Sequence, residues 1–190
     1  MNGVEGSVLV LEEYIGYEDF LRVATEKGWI KYKTYEGDGE TTTFEEVWTT
    51  TERDSAIHYI KDHVVITEFI WIRGTKVEEL QFEIARRLPS YPDDELIEMA
   101  VNAEDHDAAV DAIFKIAVGF PRFDANAMQV FEVYLTSSDT ILRKATVQAI
   151  AYRLWTESLP LLEKVAQEDS DSDVRQFAQT ILNQAQNQRE

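Results

Sequence analysis

Three histidines, His58, His63 and His106, are the side chains best suited to hold a transition metal, and only the first two stand near each other. Imidazole and carboxylate donors suit first-row metals. Two strands joined by a turn could bring His58 and His63 beside Asp62 or Glu68 as a weak metal site. Ordinary surface residues on a hairpin explain the same pattern, and the sequence calls for no metal or other cofactor. His106 falls in a turn between helices with no ligand spacing around it. Adjacent acids occur as Glu12-Glu13, Glu45-Glu46, Glu78-Glu79 and Asp93-Asp94. Acid–base catalysis needs two carboxylates that converge on one cleft with pKa values driven apart. Neighbours along a strand or helix point apart instead, so these pairs read as solvated faces and helix starts. Ser7 follows Gly6 but lacks the second glycine and the strand–turn–helix setting of a nucleophile elbow. No glycine pattern of a phosphate or dinucleotide loop is present. With no cysteine, disulfides, thiolate metal sites and cysteine nucleophiles are excluded. No residue constellation supports a catalytic assignment.

The chain has 190 residues, 44% of them hydrophobic, which exceeds a typical single domain and suffices for a sizeable core. Its 36 acids against 18 bases give a net charge of −18. Such a surface repels phosphate backbones and gains nothing from counterion release, so direct nucleic-acid binding is not expected. The acidity is spread evenly: residues 1–90 carry 18 acids and 10 bases, and residues 91–190 carry 18 and 8. Met1 to Tyr14 has no basic leader region, and the apolar run Val8-Leu9-Val10-Leu11 is far shorter than a signal core or a membrane span. A soluble cytoplasmic protein without membrane contact is the expectation.

The first ninety residues read as α+β, an antiparallel meander with flanking helices. Val8 to Tyr14 suits a strand, and Tyr17 to Lys27 suits a helix with Phe20, Val23 and Ala24 inward and Gly28 at C′. Trp29 to Glu36 leads into Gly37-Asp38-Gly39, a tight-turn signal, and Thr41 to Thr51 returns. Ala56 to Lys61 and Val64 to Arg73 follow, joined at Asp62-His63. The last strand places Val64, Ile66, Ile70 and Ile72 on one face and Val65, Phe69 and Trp71 on the other, so both faces call for burial. Thr75 to Glu78 reads as a capping box, and Val77, Leu80, Ile84 and Leu88 keep helical spacing to Pro89. Trp71 is the tryptophan most expected to be buried.

Strand signals vanish beyond about residue 91, where a second region of paired helices begins. The expected pairs are 93–104 with 107–119, 125–137 with 139–155, and 158–168 with 171–186. Asp107, Asp139 and Asp171 stand 32 residues apart, as do Val110, Leu142 and Val174, and Val101, Val133 and Val165. Val118, Ile150 and Leu182 keep the same register. Stacked helix pairs bury a continuous core that no single pair could. Ser138 or Asp139, and Asp171 or Ser172, suit N-caps; Pro160 suits a first turn; and Gln184 to Glu190 is polar enough to fray.

The segments Asp139-Thr140-Ile141-Leu142-Arg143-Lys144-Ala145 and Asp171-Ser172-Asp173-Val174-Arg175-Gln176-Phe177-Ala178 resemble the second helix of HEAT repeats. Ser158-Leu159-Pro160-Leu161-Leu162 is similar to the start of a first helix in that family, whose bacterial members include repeats named after phycobilisome lyases. The resemblance covers about residues 93–188, half the chain, and implies an armadillo-type α-helical repeat. It also implies that Asp139, Arg143, Asp171 and Arg175 join neighbouring repeats, a scaffolding role. The first pair departs from the pattern, with Asp111 in the arginine column and Gly119-Phe120-Pro121 ending the helix, which leaves two or three true repeats.

On the helix from Asp139, Lys144, Gln148 and Tyr152 fall four apart on the side away from Leu142, Ala145 and Ala149, and Gln176 takes a matching place on the next second helix. These four are the candidate binding residues. A protein-interaction module, scaffold or adaptor, with another protein as its unidentified partner, is the leading expectation. An acidic inhibitor or immunity-type protein neutralising a basic partner is the alternative, with fast, salt-sensitive association. An accessory subunit of a lyase-like enzyme is a third, suggested by the family resemblance alone. Edge-to-edge pairing of the N-terminal sheet would also allow a homodimer.

Overall fold

Alternating apolar residues in the first half build an antiparallel sheet whose concentration of large side chains lies on the face covered by two helices. The computed structural model describes residues 6–187. Six strands occur among them, β1 (Ser7–Leu11), β2 (Ile30–Tyr35), β3 (Phe44–Thr49), β4 (Ser55–Asp62), β5 (Thr67–Gly74) and β6 (Ser90–Tyr91), in the spatial order β2-β3-β4-β5-β1-β6. Helices α1 (Tyr17–Glu26) and α2 (Val77–Ala85) flank the sheet, and α3 (Asp93–Val101), α4 (His106–Gly119), α5 (Ala125–Leu135), α6 (Thr140–Arg153), α7 (Leu159–Glu168) and α8 (Ser172–Asn187) follow. The protein is therefore α+β. It divides between Asp93 and Asp94 into a sheet unit and a helical unit.

In the sheet unit, Leu9, Leu11, Trp48, Ile57, Tyr59, Ile70 and Ile72 face Phe20, Val23 and Ala24 of α1 and Leu80 and Ile84 of α2. Phe20 is fully buried, stacked on Tyr59 at 5.1 Å between ring centres and edge-on to Trp48 at 6.0 Å. Gly28, at φ 67°, ends α1 as expected: its own N–H donates to Thr25 O at 3.1 Å and that of Trp29 to Ala24 O at 2.9 Å, a paired closure that only a left-handed residue permits. The opposite face of the sheet is apolar too, with Val10, Val47, Ile60 and Phe69 buried.

Several local expectations give way to turn chemistry. The strand Val8 to Tyr14 stops at Leu11, because Glu12 opens a turn closed by the Ile15 N–H at 2.9 Å. The Gly37-Asp38-Gly39 signal does mark the hairpin, but not as a tight two-residue turn. Asp38 accepts from the N–H groups of Glu40, Thr41 and Thr42 and so organises a longer loop up to Phe44. Asp62 likewise accepts from the N–H groups of Val64 and Val65, and Ile66 takes a left-handed φ of 49°. Val64 and Ile66 are consequently turn residues, 44% and 78% exposed, and not part of the inward face shared by Ile70 and Ile72. Trp71 is only half-buried, whereas Trp29, Trp48 and Trp155 are buried.

Thr75 makes no capping box. Gly74 turns the chain at φ 119°, the Thr75 N–H goes to Asp54 O, and the N-cap falls on Lys76, whose N–H donates to Ser55 Oγ at 3.2 Å. Asp124, by contrast, caps α5 by accepting from Asn126 N at 2.8 Å and Ala127 N at 3.0 Å. Asp124→Ala is expected to cost the helical unit about 1 kcal/mol. Thr75→Ala should change stability by less than about 0.5 kcal/mol. Urea midpoints of the two variants, followed by far-UV circular dichroism, check the contrast.

The β2 edge carries an irregularity. Lys31 pairs with Trp48 and Lys33 with Val47, so Tyr32 is an extra, unpaired residue, 75% exposed. A bulge flanked by lysines is a common device that keeps an edge from pairing with another chain, which weighs against a homodimer built through this strand.

In the helical unit, α4, α6 and α8 pack side by side, α5 packs on α6 and α7 on α8. N-caps are Asp105, Asp139 and Asp171. The first lies two residues before the expected Asp107, so the caps are 34 and then 32 residues apart and the first pair breaks the period. α3 lacks the extended seam with α4 that the later pairs possess. It is tied instead to α5, where the Tyr134 hydroxyl donates to Ala100 O at 2.6 Å. Asp111, in the arginine column, forms an i,i+4 ion pair with the buried Lys115 at 2.7 Å. Pro160 sits in the first turn of α7 as expected, and α8 stays helical to Asn187; the remainder of the expected frayed end, residues 188–190, lies outside the described residues.

Candidate functional site

The polar residues of the helix turns are consumed in tying the stack together. Arg143 of α6 reaches the turn between α7 and α8, its Nε donating to Asp169 Oδ2 at 2.8 Å and its Nη2 to Asp169 Oδ1 at 3.0 Å. Its Nη1 donates to Ser137 O at 2.9 Å and Ser138 O at 3.3 Å. Both side chains are buried, with 7% and 4% exposure. Burial, the largest influence on Asp169, pushes its carboxyl upward, yet Arg143 and the Asp171 N–H together hold it below the usual carboxylate range. In the other direction His106 Nδ1 lies 2.7 Å from Asp139 Oδ2, and Asp139 is held low by the Ile141 N–H and then by His106.

A third tether comes from Arg153, whose Nε and Nη2 each donate at 2.6 Å to the carbonyls of Ala117 and Val118 at the end of α4. A cation there meets the negative end of the helix dipole. Burial pushes its guanidinium pKa down, but arginine remains charged at any ordinary pH. Asp171 and Arg175 act more locally than the repeat resemblance implies. Asp171 caps α8, and Arg175 Nη1 donates to Asp169 O at 2.5 Å within its own turn.

Of the four candidate binding residues, Lys144 and Gln176 lie on the adjacent, packed helices α6 and α8. Lys144 Nζ lies 3.6 Å from Asp173 Oδ2 on α8, and exposed Gln176 follows one turn later. Gln148 and Tyr152 run along α6 but are half-buried and not fully exposed, with the Arg153 guanidinium 5.2 Å from the Tyr152 ring centre.

A second surface was missed by sequence reasoning. Between α3 and α5 lies a groove of about 430 Å³ lined by Ile97, Ala100, Val101, Val130, Val133 and Tyr134, with Asn126 and Gln129 at its border. Ala100 and Val130 are buried in its floor, while Val101 and Val133 stand 68% and 62% exposed on its walls. Their 32-residue spacing was legible as a column of the period; that the column faces outward follows only from the pairing of α3 with α5.

The histidine pair does not form a metal site. His58 Nδ1 lies 2.5 Å from Glu45 Oε1 on the adjacent strand, and its ring is 4.8 Å from Trp71. Burial pushes its pKa down against the opposing pull of Glu45, and its Nε2 is buried without a hydrogen-bond partner. His63 belongs to the next turn, Asp62 caps that turn, and Glu68 points to the other face, where it accepts from Tyr59 and pairs with Lys61 at 3.0 Å. Among the described residues no three His, Asp or Glu side chains converge to hold a metal ion.

Glu46, which adjacency to Glu45 would assign to a solvated face, is buried. Its carboxylate accepts from Tyr17 Oη at 2.8 Å, Trp48 Nε1 at 3.0 Å and Thr34 Oγ1 at 3.2 Å, and from Lys31 Nζ. Burial, the largest influence, works against the charge, and these donors nonetheless hold the group below its ordinary range. Phe44 and Trp48, two residues to either side on the same strand, were the available sign that Glu46 points inward.

No family model matches this sequence, no curated protein matches it, and no solved structure matches its fold. No helix among the described residues is long and apolar enough to cross a membrane.

Proposed function

We propose that this is a cytoplasmic protein-binding module in which a HEAT-like helical stack presents a partner surface built from α6 and α8. The observation that carries the reading is the Lys144–Asp173 ion pair across two adjacent helices, with Gln176 one turn beyond Asp173 on α8, on a stack whose turn residues Arg143, Asp169, His106 and Asp139 are engaged in internal tethers. Repeat stacks offer such surfaces without requiring chemistry. Lys144, Gln148, Tyr152 and Gln176 form its contact line; Gln176 is exposed and Lys144 keeps 45% of its side chain in water.

Replacing Lys144 and Gln176 together by glutamate tests this. Both are outside the core, so the far-UV spectrum and melting temperature should not change. Capture of a native partner from extract, quantified by mass spectrometry, should fall at least about tenfold, the equivalent of 1.4 kcal/mol. Undiminished capture by a folded double variant would remove this surface from consideration.

A further inference from the structure

We infer that the groove between α3 and α5 is a docking site for a basic amphipathic helix of a partner protein. This rests on the reading of the stack as a protein-binding module, but it names a different surface and the chemistry of what fills it. The apolar lining repeats at helical spacing on both walls, Ile97, Ala100 and Val101 on α3 and Val130, Val133 and Tyr134 on α5. Two such walls form a trough that accepts the apolar stripe of another helix, with side chains inserting at intervals of three and four. The exposure of Val101 and Val133 leaves substantial apolar surface in water that an occupant would cover.

Charge selects the occupant. α3 carries Asp93, Asp94, Glu95 and Glu98, and neither α3 nor α5 contains a lysine or arginine; the one acid of α5, Glu132, faces α7 instead. Asp94 stands three residues before Ile97, and Glu98 three before Val101, so each exposed acid neighbours a lining residue of α3 at one helical turn. The α5 border offers the neutral amides of Asn126 and Gln129. Within a chain of net charge −18, an acidic helix would meet repulsion here and a neutral one would gain nothing from the charge, whereas lysines or arginines flanking an apolar stripe would meet complementary charge.

The test uses the full chain and a fluorescein-labelled synthetic peptide of about 18 residues with leucine at helical spacing and lysine elsewhere. Fluorescence anisotropy should show saturable binding that weakens as salt rises. Val133→Glu and, independently, Val101→Glu should each weaken binding at least tenfold, even though each adds an acid that would strengthen a purely ionic attraction. Both positions are exposed, so two separate variants guard against a change in folding. Glu98→Lys should weaken binding and flatten its salt dependence. Lys144→Glu with Gln176→Glu should leave peptide binding unchanged. No binding by the native chain, equal binding by either valine variant, or equal binding of a peptide with the same composition in scrambled order would overturn the inference. If the peptide fails while capture still depends on Lys144 and Gln176, the groove assignment falls and the binding-module reading stands; failure of both experiments removes both.

Discussion

Arg143→Ala is expected to destabilise the helical unit by about 3 to 5 kcal/mol, the usual cost of removing one member of a buried ion pair. The loss arises less from the bond itself than from what remains. Asp169 would keep its charge with 4% of its side chain in water, left with the Asp171 N–H at 2.8 Å and the more distant Arg175 charge to compensate. The carbonyls of Ser137 and Ser138 would lose their donor as well. Arg143→Lys should recover only part of the loss, since an ammonium cannot reproduce the two-pronged contact made by Nε and Nη2. Replacing both partners by apolar residues, Arg143→Met with Asp169→Leu, should cost less than Arg143→Ala alone. Urea midpoints at neutral pH would measure all three, and equal midpoints for Arg143→Ala and the native chain would refute the account.

The pH dependence has a definite sign. Because Asp169 is held below its unfolded value, its contribution is complete above the ordinary carboxylate value of about 3.9 and is lost as pH falls through the depressed folded value. Asp139 adds a loss in the same direction. Without Arg143, burial would be opposed only by the Asp171 N–H and the Arg175 charge, so the variant should start to lose its carboxylate at higher pH than the native chain. Its deficit should be greatest near neutrality and shrink in acid.

For the sheet unit, Glu46→Leu is expected to cost about 3 kcal/mol, mostly through the Tyr17 hydroxyl and the Trp48 N–H left without an acceptor in a buried setting. Lys31 and Thr34 are nearer the surface and can turn to water. Glu46→Gln should be nearly as damaging, because one end of the amide presents N–H groups to a cluster made of donors. The Tyr17 phenol supplies an internal check. Burial first, and then Glu46, push its pKa up to about 12, so its protonated form survives well into alkali. Stability drawn from it is full below the ordinary value of about 10 and fades as pH rises toward 12. In Glu46→Gln, tyrosinate absorbance should therefore appear at lower pH. Unchanged midpoints and an unchanged phenol titration would show that Glu46 is not the organising acceptor.

What the sequence disclosed and what it concealed divide along physical lines. Apolar period exposed the meander and the helix pairs, and Gly28 marked the end of α1, because burial and left-handed backbone leave direct traces in residue type. The two-residue strand β6 leaves no such trace: Ser90 and Tyr91 pair with Leu11 and Val10 only because β1 exposes that edge. The capping motif from Thr75 failed because Gly74 redirects the chain and Ser55, twenty-one positions back, supplies the acceptor for Lys76. In the stack, the arginine column announced a tether, but its acceptor is Asp169 and not the matching-column Asp171, since the turn before α8 supplies the carboxylate nearest to α6. The groove between α3 and α5 was hidden for the same reason. A column of valines gives a period and says nothing about which side of a helix its neighbour covers.

The unpaired Tyr32 bears on how this chain accommodates changes in length. Lys31 and Thr34 are three positions apart, which in an uninterrupted strand would send them to opposite sides of the sheet, yet both reach Glu46. The supernumerary residue resets the count between them. Tyr32 itself can be exchanged for many residues at little cost, since its side chain lies in water. Its removal would restore an unbroken strand: Lys31, Lys33 and Thr34 would pair in turn with Trp48, Val47 and Glu46, so Thr34 would still meet Glu46, whereas one further inserted residue would send Thr34 to the other face. At this edge heredity is lenient about kind and tolerates a loss more readily than a gain.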